Sequence, residues 1–132
     1  MSKAIELAKV AYSNDEVPVG AIVVRNNKII GCGYNKKDYT KNPLNHAELL
    51  AIEEACKYIG DWRLNDCELY TTLEPCMMCM GAILETRICR IVFGVCKNEK
   101  NYFYNSNILV TKNVLEDECL NLLQKFFKNK RN

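Results

Sequence analysis

Several things are scarce in this chain. Its 132 residues include one histidine, one tryptophan and three prolines. No apolar run approaches the roughly 18 residues of a membrane-spanning helix, and Met1-Ser2-Lys3-Ala4 lacks the apolar core that would open an export signal, so a cytoplasmic protein is expected. The net charge is +2, too small to announce a nucleic-acid protein by charge alone. With no internal repeat, low-complexity tract or linker, the length suits one domain, 1–132, around one core. A 48% apolar and 26% charged composition is that of an ordinary globular protein. Cysteine is the exception, with eight. Without an export signal these are not expected to form a disulfide framework. Cys32, Cys56, Cys67, Cys89, Cys96 and Cys119 read as small buried apolar side chains. Cys76 and Cys79 differ by their spacing.

Periodicity predicts a helix over 2–13, with Ala4, Ile5, Leu7, Ala8, Ala11 and Tyr12 on one side. Strands over 21–24 and 28–31 flank Arg25-Asn26-Asn27, a hairpin turn because Asn tolerates left-handed backbone. A polar loop over 33–44 leads to a helix over 46–58 that Gly60 closes. A strand follows over 67–72. Pro75 then suits the first turn of a helix reaching about Thr86. Further strands are expected over 88–94 and 107–111. Asn113 with Glu116 reads as a capping box for a last helix with Leu115, Cys119, Leu122, Leu123 and Phe126 on one face. The order implies an α/β protein, a three-layer α/β/α fold with helices on both faces of a five-stranded mixed sheet.

Cys76 and Cys79, three apart at a helix start, have two common uses, metal binding and dithiol redox chemistry. Redox folds of the thioredoxin type set a cis-proline loop later in the chain against the dithiol. Pro18, Pro43 and Pro75 all precede Cys76, which favours metal. His46 is the one imidazole, and Glu48 follows it in the first turn of its helix. Asn45 with Glu48 is also a capping-box pattern, so Glu48 stands either as a cap or as a functional carboxylate. Two helix tips meeting in the crevice of an α/β sheet would join the two motifs. Two thiolates and one imidazole form a zinc set with one ligand fewer than a structural site, leaving a position for water. Glu48 near that water could move its proton.

His46-Ala47-Glu48 with Pro75-Cys76-Met77-Met78-Cys79 resembles the signature of the zinc nucleobase deaminases of the cytidine/deoxycytidylate deaminase superfamily. Glu16-Val17-Pro18-Val19-Gly20-Ala21, Tyr34-Asn35, Trp62-Arg63-Leu64, 69–79 and Phe126-Phe127 look like the bacterial tRNA-specific adenosine deaminases. The resemblance implies zinc, one per subunit, on His46, Cys76 and Cys79, with Glu48 as proton shuttle. It implies hydrolysis at C6 of a wobble adenosine to give inosine. Asn35 and the Ala47 N–H would bind the flipped-out base, and Phe126, Phe127 and Lys128 the anticodon stem-loop. The family enzyme is a homodimer.

The segment after the fourth strand is shorter than the family's, and Lys97 replaces its usual acidic residue. A parallel crossover takes about a dozen residues, and the expected loop, 96–105, is shorter than that. The last strand is expected to run parallel to the fourth, with an antiparallel return as the alternative. Tyr102, Phe103 and Tyr104 would stack on RNA bases or cover the sheet edge. The basic tail over 125–131 either complements the helix dipole or meets phosphates. The alternatives in function are a deaminase of free cytosine, guanine or cytidine, and a non-catalytic zinc or redox module.

Overall fold

Asn26 and Asn27 adopt left-handed backbone, with φ of 51° and 62°. They form the expected hairpin turn between β1 (Gly20–Arg25) and β2 (Lys28–Tyr34), shorter by one residue than expected because Arg25 joins the strand opposite Lys28. The computed structural model describes residues 1–97 and 107–130; Tyr102, Phe103, Tyr104 and Arg131 lie outside the described residues. The other elements are α1 (Ser2–Ser13), α2 (Lys37–Thr40), α3 (Ala47–Ile59), β3 (Cys67–Leu73), α4 (Met77–Glu85), β4 (Arg90–Val95), β5 (Leu109–Thr111) and α5 (Glu116–Lys130). Among the described residues, no helix is long and apolar enough to cross a membrane.

The sheet order is β2-β1-β3-β4-β5. β1 runs antiparallel to β2 and β3, and β3, β4 and β5 run parallel. The parallel last strand is as expected. It begins at Leu109 rather than 107, so the crossover spans 96–108, enough for a parallel return.

Alternation along the strands divides the core. Ala21, Val23, Leu69 and Ile91 face Ala47, Ala51 and Ala55 of α3 and Met80 and Ile83 of α4. On the opposite face α1 sets Ala4 and Ala8 against Gly20, and α5 sets Cys119 against Gly94. Close approach at two glycines fixes α3: a Cβ on Gly33 would meet the Ala47 carbonyl, and one on Gly31 the Ala51 carbonyl. The first turn of α3 is thereby pinned to the end of β2. Gly60, at φ 79°, closes α3 as expected, its N–H donating to the Cys56 carbonyl.

Three local expectations shift. α2 is a four-residue helix inside the expected loop. Asn113 is left-handed, at φ 61°, and α5 starts only at Glu116, so no capping box forms there. Leu115 is consequently exposed, while Cys119, Leu123 and Phe126 are buried as expected. The basic helix end is partly committed to packing: Lys130 pairs with Asp15 at 2.7 Å, and Asn129 donates to the Tyr12 hydroxyl at 2.8 Å.

Candidate metal centre and active site

His46 is the N-cap of α3 and Cys76 the N-cap of α4, both with extended backbone. An N-cap side chain ordinarily accepts a hydrogen bond from its own helix. Neither does so here, and both turn to a shared point instead. Cys79, on the first turn of α4, completes the group. His46 Nδ1 lies 3.6 Å from Cys76 Sγ and 3.5 Å from Cys79 Sγ, and the three ligand atoms all lie within 4.8 Å of one another. Tetrahedral zinc, with bonds of about 2.3 Å to sulfur and 2.0–2.1 Å to nitrogen, would separate S from N by about 3.5–3.6 Å. The residues therefore fit zinc in donor type and in spacing. Among the described residues the group has three members, the number found in catalytic rather than structural zinc sites.

Glu48 is the second residue of α3, one position earlier in the helix than a capping box with Asn45 requires, because His46 takes the cap. Its carboxyl is buried, hydrogen-bonded by its own N–H and by the Cys79 thiol. Burial pushes it up to about 7, against the lowering effect of those bonds and of Lys97. A carboxyl poised there can take and release a proton near neutrality. Burial, then Glu48 and Cys76, push the Cys79 thiol far above its ordinary range. Burial, then Lys37 and Lys97, lower His46. A protonated thiol beside a neutral imidazole is a donor set from which a divalent cation displaces the thiol proton into solvent as it binds.

A cavity of about 350 Å³ opens over this group, lined among others by Glu16, Asn35, His46, Glu48, Cys76, Lys97 and Phe127. Asn35 Oδ1 accepts the Ala47 N–H at 2.9 Å, so two expected substrate contacts form one unit and that N–H is already engaged. The expected aromatic pair stays in edge-to-face contact, ring centroids 5.4 Å apart, but its two members differ in exposure. Phe127 is 47% exposed and reaches the cavity, whereas Phe126 is buried edge-on against Tyr12. α5 cannot present adjacent residues to one side. Lys128 lies with Phe127 in a neighbouring groove along α5.

Two carboxylates of the site region lie in segments that resemble the family, Glu16 in 16–21 and Glu74 in 69–79, but the sequence assigns neither a role. Buried Glu74 accepts the Lys97 N–H at 2.8 Å, tying the β3–α4 corner to the end of β4. Buried Glu16 accepts from the Asp38 and Tyr39 N–H groups. The signal for both was their place in those segments, each an acidic residue beside a proline-containing run. Among the other cysteines Cys67 and Cys119 are buried as expected, Cys32 and Cys56 are half-buried, and Cys89 and Cys96 are exposed, against expectation. No disulfide joins any of the eight.

The MafB19-like deaminase family matches residues 1–131. A tRNA-specific adenosine deaminase of Buchnera aphidicola subsp. Baizongia pistaciae (strain Bp) is 46% identical over 144 residues, covering 99% of this chain and 88% of that protein. One from Bacillus subtilis (strain 168) is 39% identical over 142 residues, covering 99% and 88%. A structure solved in work on A-to-I editing by tRNA:A34 deaminases at the wobble position of transfer RNA superposes with a TM-score of 0.87. It shares 31% identity and covers 93% of this chain and 97% of that one.

Proposed function

The chain belongs to the MafB19-like deaminase family, and we propose that within it this protein hydrolyses the wobble adenosine of a tRNA anticodon to inosine. The observation that carries the reading is the three-ligand group at two helix tips with Glu48 buried beside it under an open cavity. His46, Cys76 and Cys79 would hold zinc, which when bound supplies a water acidified to a pKa of about 7.

The chain's own residues account for the remaining steps. Glu48 takes the proton from the attacking water and passes it to the purine ring nitrogen next to C6 as the C–O bond forms. Glu48 then takes the proton of the new C6 hydroxyl and delivers it to the 6-amino group, the C–N bond breaks as the C6 carbonyl forms, and ammonia departs. With its Oδ1 held on the Ala47 N–H, Asn35 meets an acceptor atom of the base with its Nδ2. Phe127 offers a ring on which a base beside the target can stack, and Lys128 a charge for a phosphate. A homodimer is part of this reading: exposed Met77, Met78 and Leu84 leave apolar side chains on α4 beside the metal ligands, suited to a second copy of the chain. The zinc-loaded protein should convert an anticodon stem-loop bearing a wobble adenosine, and leave free adenosine, guanine and cytidine unchanged. Turnover of a free base or nucleoside with the hairpin untouched would overturn the reading.

A further inference from the structure

Glu16 lies between α1 and β1, outside the groups that hold metal or move protons, yet it is 3% exposed. Its backbone is fixed. Asp15 is left-handed at φ 61°, its N–H donates to the Tyr12 carbonyl, and the Glu16 N–H donates to the Ala11 carbonyl. That is the Schellman closure of α1, which leaves Glu16 rigidly aimed.

Its carboxylate crosses to α2. The Asp38 N–H donates to Oε1 at 3.2 Å and the Tyr39 N–H to Oε2 at 2.8 Å. A four-residue helix is far below the length that is stable alone, and its own N-cap, Lys36, gives it no side-chain hydrogen bond. Its first-turn N–H groups need acceptors, and Glu16 supplies them from more than twenty residues upstream. Lys37 and Asp38 line the cavity that holds His46, Glu48 and Cys76. Glu16 and Asn35 line both that cavity and an adjoining one of about 370 Å³ bordered by Lys36 and Tyr39.

We propose that Glu16 is a positioning residue: it holds α2 in place as a wall of the substrate cavity and thereby sets affinity for the RNA. The inference rests on the tRNA deaminase reading. The groups that do the chemistry stand on α3, pinned by Gly33 and by the Asn35–Ala47 bond, and on α4, which Glu16 does not touch through any hydrogen bond among the described residues. Loosening α2 therefore acts on binding and spares turnover of bound substrate.

The test uses the zinc-loaded full chain and its Glu16→Ala and Glu16→Gln variants. Glu16→Ala should raise KM for the anticodon stem-loop about tenfold, as expected from a lost charge-assisted hydrogen bond, with kcat within about twofold and zinc stoichiometry unchanged. Glu16→Gln keeps one acceptor oxygen and should fall between that variant and the parent. Hydrogen exchange gives a readout independent of activity: the Asp38 and Tyr39 amides should exchange faster in Glu16→Ala, with α3 unaffected. Unaltered protection of those two amides, or a fall in kcat at constant KM, would overturn the proposal. Should Glu16→Ala not fold, Glu16→Gln carries the same two measurements. A parent protein inert on the hairpin would instead sink the functional reading and leave the exchange result to judge the cap.

Discussion

On one face of the sheet α3 and α4 bring His46, Glu48, Cys76 and Cys79 to a point; on the other, α1 and α5 contribute one ring, Phe127, to the same cavity. The first face owes its chemistry to helix ends. Its N-caps direct side chains outward to a common centre, and its carboxylate is buried one residue inside a helix. The second face is a scaffold of close apolar contacts, Ala4 and Ala8 on Gly20, Cys119 on Gly94, Tyr12 on Phe126. The difference places the reacting groups on one pair of helices and a candidate stacking ring on the other, so substitutions at His46, Glu48 or Cys79 and at Phe127 should fail in different measurements.

The largest effects belong to the first face and separate into two kinds. Cys79→Ala removes a buried thiol of the three-residue group, and should lose bound zinc, activity and several kcal/mol of stability together. Unchanged zinc stoichiometry in that variant would contradict the ligand assignment. Glu48→Gln should keep zinc and fold while turnover falls by about 10²–10⁴, the range of general acid–base catalysis. Equal loss of metal and structure would make Glu48 a structural group instead.

Adjacent residues of α5 sharpen the contrast on the second face. Phe126→Ala should cost about 3–5 kcal/mol of stability, as large-to-small changes in cores do, with KM for RNA in the folded fraction barely moved. Phe127→Ala loses an edge-to-face contact with Phe126 and should cost only about 0.5–1.5 kcal/mol of stability, while weakening RNA binding by about 1–3 kcal/mol, the worth of a stacked base. Chemical denaturation and hairpin binding read the two separately, and parallel losses would erase the distinction between the faces. A smaller effect joins them: Gly33→Ala forces a Cβ toward the Ala47 carbonyl and should cost about 1–3 kcal/mol. It should also reduce activity, because the displaced tip of α3 carries His46.

Legibility followed the range of the forces involved. Asn26-Asn27 and Gly60 act through their own backbone conformations, and both behave as their residue types predict. The metal group was readable because thiol and imidazole have few uses at that spacing. The capping boxes were not, because a cap depends on which residue the tertiary structure recruits. His46 displaces Asn45, and Asn113 bends left-handed before α5 starts. α2 has too few residues to show a period and takes its N–H acceptors from distant Glu16. The difference in burial between Phe126 and Phe127 needed the rotation of α5 about its axis, which the basic, aromatic tail does not specify.

The smallest expected effect tests the cysteines away from the metal group, where exposure rather than spacing decides behaviour. Only the thiolate alkylates. Burial, then Glu118, push the Cys119 thiol up to about 11, and burial raises Cys67 as well. The sign follows: the fold favours the protonated Cys119 thiol, so its contribution to stability is full below its ordinary 9.0 and is lost as pH rises through about 11. At pH 8 both buried thiols are protonated and covered, whereas Cys89 is exposed. Iodoacetamide under native conditions should therefore label Cys89 at least about tenfold faster than Cys119, with little change in zinc content or turnover. Mass spectrometry of the digest decides it. Labelling of Cys119 at the rate of Cys89 would mean that the α5 face opens readily, and that face would then be too loose to hold Phe127 over the cavity.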